Sequence, residues 1–144
     1  MESGFLLPDV EDTDAAPFWQ GTARGELRVQ VCADCGQRRM PPRPMCFACR
    51  SLKQTWKALS GRGTIWSFVV VHPPLLPAYA ELAPYNVITV ALDDDPTLRV
   101  VGNLVARSDG PINEVDPSTI RIGEPVQVVF QQIEDVFLPR WMRV

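Results

Sequence analysis

The 144-residue sequence predicts a mainly β protein: a short helix and a metal-binding ribbon, then a small five-stranded barrel. Three observations predict it. All four cysteines fall in two C-x-x-C pairs, Cys32/Cys35 and Cys46/Cys49, ten residues apart. Beyond residue 63, five runs rich in β-branched and aromatic residues follow one another with no long helical pattern. The fourteen prolines sit mainly between such runs, where they remove donors and fix φ.

Taken in order, residues 1–13 have few periodic apolar residues and read as a disordered or extended arm. Asp14 to Gly21 reads as a short helix, with Pro17 in its first turn and Gly21 at its stop. Phe18 and Trp19 are two large apolar groups on a helix too short to stand alone. Neighbouring helical residues point about 100° apart, so one short helix does not easily bury both against its own module. Both are therefore candidates for docking a partner, and packing on their own module is the competing reading. Leu27, Val29 and Val31 alternate with Arg28 and Gln30, the pattern of a strand entering the first cysteine pair.

Two residues between cysteines let both thiolates of a pair turn toward one point, and two pairs close a tetrahedral S₄ shell. Cys32, Cys35, Cys46 and Cys49 are the predicted ligands of one structural zinc; iron fits the same shell. Gly36 follows the first pair, where a knuckle favours positive φ, and Arg50 holds the matching place after the second. Two disulfides or a redox dithiol are the alternatives. Disulfides need an oxidising compartment, and a thioredoxin-like C-x-x-C sits in a βαβ context that this pattern lacks. A closed S₄ shell leaves no open position for catalysis.

Met40-Pro41-Pro42-Arg43-Pro44 is predicted as a stiff extended link presenting Arg43. Thr55–Ala58 is a strand leaving the second pair, and Ser60–Gly63 is a turn and module boundary. The expected division is thus an arm and helix over 1–23, the ribbon over 24–62 and the barrel over 63–144. In the last part the strands are Thr64–Val71, Tyr85–Leu92, Leu98–Val105, Val126–Phe130 and Phe137–Trp141. Residues 72–84, with four prolines, and 108–117 are loops, and Asp93–Pro96 is a turn. Five strands in about eighty residues fit a Greek-key barrel of the OB type, with a β-sandwich as the runner-up.

Net charge is −3, but unevenly spread. Residues 24–62 hold nine bases against two acids, a net of +7; the flanking parts are each net −5. The basic island is either a solvated face or the host of an anion or acidic partner surface. An acidic barrel repels a phosphate backbone, which argues against nucleic acid despite the possible stacking residues Trp66, Phe68 and Tyr85. His72 is the single histidine, and no nucleophile elbow or glycine-rich phosphate loop occurs, so a self-contained enzyme is not expected. Met1–Gly4 lacks a basic n-region and no apolar run reaches 18 residues, so the expectation is a cytoplasmic protein off the membrane.

The order of motifs resembles one family. It runs through Pro17-Phe18-Trp19-Gln20-Gly21, Gly25-Glu26-Leu27, Cys32-x-x-Cys35-Gly36, Pro41-Pro42-Arg43-x-x-Cys46-x-x-Cys49 and Ser60-Gly61-Arg62-Gly63-Thr64-Ile65-Trp66-Ser67-Phe68. Pro84-Tyr85, Gly102-Asn103-Leu104 and Ile122-Gly123-x-Pro125-Val126 complete it. Over residues 15–141 the sequence resembles the zinc-ribbon/OB-fold family known as domain of unknown function thirty-five. The resemblance implies a rubredoxin-like zinc ribbon and an OB barrel. It also implies a non-catalytic accessory subunit of a thiolase-like enzyme, such as an acetyl-CoA acetyltransferase, a lipid-transfer-protein thiolase or a steroid side-chain aldolase. Such a subunit assembles a hetero-oligomer and helps bind or channel CoA thioesters. CoA is strongly anionic, which makes Arg38, Arg39 and Arg43, between the cysteine pairs, its candidate contacts. The rival functions are a nucleic-acid-binding zinc-ribbon/OB protein and a stand-alone acyl-CoA-binding protein.

Overall fold

The structure is a computed structural model describing residues 4–144; the first three residues of the expected arm lie outside the described range. Helix α1 spans Ala16–Thr22, with Pro17 in its first turn as expected. Its stop differs from expectation. Gly21 is buried inside the helix, and the chain reverses at Gly25, where φ is +76°. The Glu26 amide donates to the Gly21 carbonyl at 2.9 Å, closing the end. Gly21 instead gives room to a neighbour: a Cβ there would lie 2.6 Å from the Arg28 side chain, which would have to shift.

Strands β1 (Leu27–Cys32), β2 (Arg38–Arg39) and β3 (Gln54–Leu59) form an antiparallel ribbon sheet in the order β2-β1-β3. The predicted alternation along β1 breaks at Gln30, which is fully buried, while Val31 is half-buried. The reason is polar. Gln30 Oε1 accepts the Arg43 amide at 2.8 Å, so the buried side chain anchors the proline-rich link to the sheet.

The second sheet holds β4 (Arg62–Val71), β5 (Tyr85–Leu92), β6 (Arg99–Gly102), β7 (Pro125–Ile133) and β8 (Val136–Arg143). Their order is β6-β5-β4-β7-β8. The expected loop over 72–84 contains one helical turn, α2, at Pro77–Ala80. The expected strand Leu98–Val105 is shorter, because after Gly102 the chain changes partners. Asn86 on β5 replaces the ladder with its side chain: Oδ1 accepts the Leu104 amide at 2.6 Å, and Nδ2 donates to the Leu104 carbonyl at 3.0 Å. The Asn103 side chain donates to the Asn86 carbonyl at 2.6 Å. The released backbone then reaches across to β8. The Trp141 amide donates to Asn103 O at 3.0 Å, and the Val105 amide to Trp141 O at 2.8 Å. This parallel bridge brings the two sheet edges together, leaving the sheet nearly closed and removing an exposed edge.

One core runs through both parts. Phe18, Leu27 and Val29 from the helix and ribbon belong to the same apolar cluster as Ile65, Ile88, Val90, Leu104, Val126 and Trp141 from the barrel. Helix α1 is what joins them, since it touches both β1 and β8. Polar ties add to the junction. Asp94 accepts from the Ser60 amide at 3.2 Å and from its hydroxyl, and Asp95 pairs with Arg38 at 3.6 Å. The turn Asp93–Pro96 is therefore a stitch between barrel and ribbon as well as a solvated turn.

Gly63, near the start of β4, lies opposite Leu92 on β5. A Cβ there would lie 2.5 Å from the Ala91 carbonyl oxygen, which is backbone and cannot rotate away. Gly63→Ala is expected to lower stability by about 1–3 kcal/mol. Urea unfolding checks it, and an unchanged midpoint would contradict the close approach.

Candidate functional site

The metal centre is built by two matched turns. The Gly36 amide donates to Cys32 O at 3.0 Å, and the Arg50 amide to Cys46 O at 2.9 Å. The Cys32 amide reaches Gln37 O at 2.8 Å, and the Cys46 amide reaches Ser51 O at 2.9 Å. Both residues after the pairs are left-handed, Gly36 at φ +78° and Arg50 at φ +67°. Arg50 thus adopts the glycine-like conformation despite its side chain, at a steric cost of roughly 1–2 kcal/mol. These turns carry Cys32 and Cys46 inside and leave Cys35 and Cys49 exposed.

The four sulfurs lie within 4.8 Å of one another. Cys32 and Cys49 are 3.5 Å apart, and Cys35 and Cys46 are 3.6 Å apart. A zinc–sulfur distance of about 2.3 Å puts tetrahedral edges at about 3.8 Å, so the set fits one ion. The thiols also differ in readiness to ionise. Amide hydrogen bonds from Cys35 and Asp34 and the Cys49 thiol draw Cys32 down to about 6 against burial. The Ser51 amide pulls Cys49 downward, but the neighbouring sulfurs of Cys32 and Cys35 and burial prevail and push it up to about 12. Four crowded thiolates repel one another, and a dication at their centre is what offsets that repulsion.

The three candidate arginines meet at one cleft of about 330 Å³, lined also by Met40, Phe47 and Thr97. Their roles differ. Arg38 is half-buried and paired with Asp95. Arg39 is only 3% exposed. Its guanidinium donates to Arg43 O at 3.0 Å and to Gln54 Oε1 at 3.2 Å, so it braces the ribbon rather than reaching for a ligand. Arg43 is exposed, its backbone held by Gln30 and Arg39 while, among the described residues, no carboxylate pairs with its side chain.

Phe18 requires a correction. It is 7% exposed and part of the core, with Trp19 packed edge-to-face on it at 4.9 Å. The short helix buries Phe18 because it sits between two bodies, β1 on one side and β8 on the other. Trp19 remains half-exposed and edges an apolar cleft of about 400 Å³ with Pro41, Pro42, Val101 and Pro139. His72 is exposed on its loop. Of the three aromatics considered for stacking, Trp66 is 51% exposed with Arg99 lying 3.8 Å over its ring, while Phe68 and Tyr85 are half-buried.

The sequence reading missed an apolar patch on the second knuckle: Met45, Phe47 and Leu52 are 48%, 69% and 68% exposed. A signal for Phe47 was available. When both cysteines of a C-x-x-C pair turn inward to a metal, residues between them turn outward, so an aromatic there is displayed to solvent. No helix among the described residues is long and apolar enough to cross a membrane.

Comparison with known proteins matches both parts. Residues 19–53 match the ChsH2 rubredoxin-like zinc ribbon domain, and residues 56–131 match the ChsH2 C-terminal OB-fold domain. With the sulfur geometry, this makes the four cysteines a zinc-ribbon centre for one structural ion. A 3-oxo-4,17-pregnadiene-20-carboxyl-CoA hydratase alpha subunit of Mycobacterium tuberculosis is 34% identical over 98% of this chain and 41% of its own length. A probable enoyl-CoA hydratase alpha subunit of Thermomonospora curvata is 34% identical over 78% of this chain and 32% of its own. The chain thus spans well under half the length of these two relatives. A DUF35 domain-containing scaffold protein of Methanothermobacter thermautotrophicus is 31% identical over 78% of this chain and 77% of its own. Among solved structures, a chain of the Ltp2-ChsH2(DUF35) aldolase superposes with a TM-score of 0.78 at 29% identity, covering 94% of this chain and 98% of that one. By the ribbon, the barrel and these matches, the chain belongs to the ChsH2-type DUF35 family of zinc-ribbon/OB-fold proteins.

Proposed function

We propose that this chain is a non-catalytic accessory subunit that docks on a thiolase-like enzyme of acyl-CoA metabolism and helps assemble it. The observation that carries the reading is the near end-to-end likeness to the DUF35 chain of an Ltp2-ChsH2 aldolase. The scaffold name of one relative and the CoA-ester hydratase names of two others support the same direction. In this reading residues 1–23, 24–62 and 63–144 serve as arm with helix, docking ribbon and barrel. The docking surface is the ribbon tip at Phe47, Met45 and Leu52 together with Trp19, since Phe18 is committed to the core. Arg43, with Arg38 beside it, faces the anionic part of a CoA thioester at the mouth of the arginine cleft.

Co-expression with thiolase-fold enzymes of the same organism tests the reading. The wild type is expected to co-purify as a hetero-oligomer. Phe47→Ala is expected to abolish co-purification with zinc content and circular dichroism unchanged, because an exposed anchor carries interface rather than folding energy. A wild-type chain that never associates with such an enzyme overturns the accessory role. Calorimetry with CoA on the complex tests the finer part: Arg43→Ala is expected to weaken binding, and equal affinity would remove Arg43 from ligand handling.

A further inference from the structure

Away from the ribbon cleft, the barrel carries a charged group with no counter-charge. Arg140 on β8 is 7% exposed. Its Nε donates to Gln131 Oε1 at 3.0 Å and its Nη1 to Asn103 Oδ1 at 3.0 Å, both neutral acceptors. Nη2 is buried and, among the described residues, has no partner. No carboxylate of the described residues forms an ion pair with it. Leaving a buried cation uncompensated is costly, and a guanidinium is built to take a carboxylate through two parallel hydrogen bonds.

The same arginine lines a cavity of about 300 Å³ whose other walls include Tyr79, Tyr85, Val87, Ile112 and Leu138. Its cover is the N-terminal arm. The Phe5 ring lies 5.5 Å from the guanidinium and 5.8 Å from the Tyr79 ring, and the Leu6 amide donates to the Tyr79 hydroxyl at 3.1 Å. Among the described residues, the arm rests on the cavity by one hydrogen bond and aromatic contact, so it can lift to admit a ligand and settle again without breaking a strand ladder. Burial lowers the proton affinity of Arg140, and an incoming carboxylate reverses that penalty.

We propose that this cavity is a binding site for a small apolar monocarboxylate, its carboxylate on the Arg140 guanidinium and its apolar body against Tyr85, Val87 and Leu138, beneath the N-terminal arm. The volume is at the small end for ligand pockets, which suits a single acyl or aryl acid.

Titration calorimetry of the zinc-loaded full chain with octanoate, against 1-octanol of the same length, tests the proposal. Octanoate is expected to bind about tenfold or more tighter, the worth of a hydrogen-bonded charge pair. Arg140→Gln keeps neutral hydrogen bonding to Asn103 and is expected to erase that preference. Val87→Phe fills the cavity without touching the charge and is expected to abolish octanoate binding, which keeps the test sound if Arg140→Gln fails to fold. Equal affinity for acid and alcohol, or octanoate binding unchanged by Val87→Phe, overturns the proposal.

Discussion

Cys46→Ser is expected to release the metal and unfold the ribbon. Cys46 is completely buried, and its turn positions both sulfurs of the second pair. Metal binding in such modules is worth about 10–16 kcal/mol and is inseparable from folding. That matches or exceeds the whole stability of a typical domain, about 5–15 kcal/mol. The ribbon's own packing is thin: β2 is two residues long, and its fully buried apolar residues in the core are Leu27 and Val29. Elemental analysis should find the metal gone, and hydrogen exchange should find the amides of β1 and β3 unprotected. The strand pairs β4–β5 and β7–β8, which lie wholly in the barrel, should keep protection at lower overall stability. Stripping the wild type with a chelator should give the same pattern. A variant that keeps ribbon protection without metal would show that packing alone holds the ribbon.

Phe18→Ala is expected to be strongly destabilising, although it lies outside the metal centre. Removing a buried phenylalanine costs about 3–5 kcal/mol, including the cavity left behind. For a chain of this size that corresponds to a fall in Tm of roughly 10 °C. Trp19→Ala should cost less, since Trp19 is already half-exposed and only leans on the cluster. The ordering is the informative part: thermal melts in which Trp19→Ala costs more than Phe18→Ala would show that Phe18 is not the keystone between ribbon and barrel. Zinc content should stay at one ion per chain in both, because neither residue touches the sulfurs.

The metal centre was legible because ligand spacing is local: four thiols and two reversing turns lie within twenty residues, 32–51. The barrel was legible because β4, β5 and β8 are strong β-formers bounded by proline- or turn-rich segments. What the sequence hid depends on partners far along the chain. Gln30 looked like the polar face of an amphipathic strand, but its acceptor meets the Arg43 amide thirteen residues on. Arg39 looked like a free cation and is spent on the Arg43 carbonyl and on Gln54. The β-forming run Leu98–Val105 continues past Gly102, yet pairing stops there because the Asn86 side chain claims Leu104. Phe18 is the same kind of case, since the burial of one face of its helix is decided by a strand more than a hundred residues later.

That long reach of α1 also sets an order of events. Contacts between residues far apart in sequence form late, because the intervening chain must first be closed. Of the described elements, α1 is made first and β8 last. During synthesis the helix can pack on β1 early, but its β8 side has no partner until β8 has emerged. Until then the ribbon and the nascent barrel are held together by the short link between β3 and β4 and by the Ser60–Asp94 and Arg38–Asp95 ties. The latch between them is thus the first of these elements to emerge and among the last to lock.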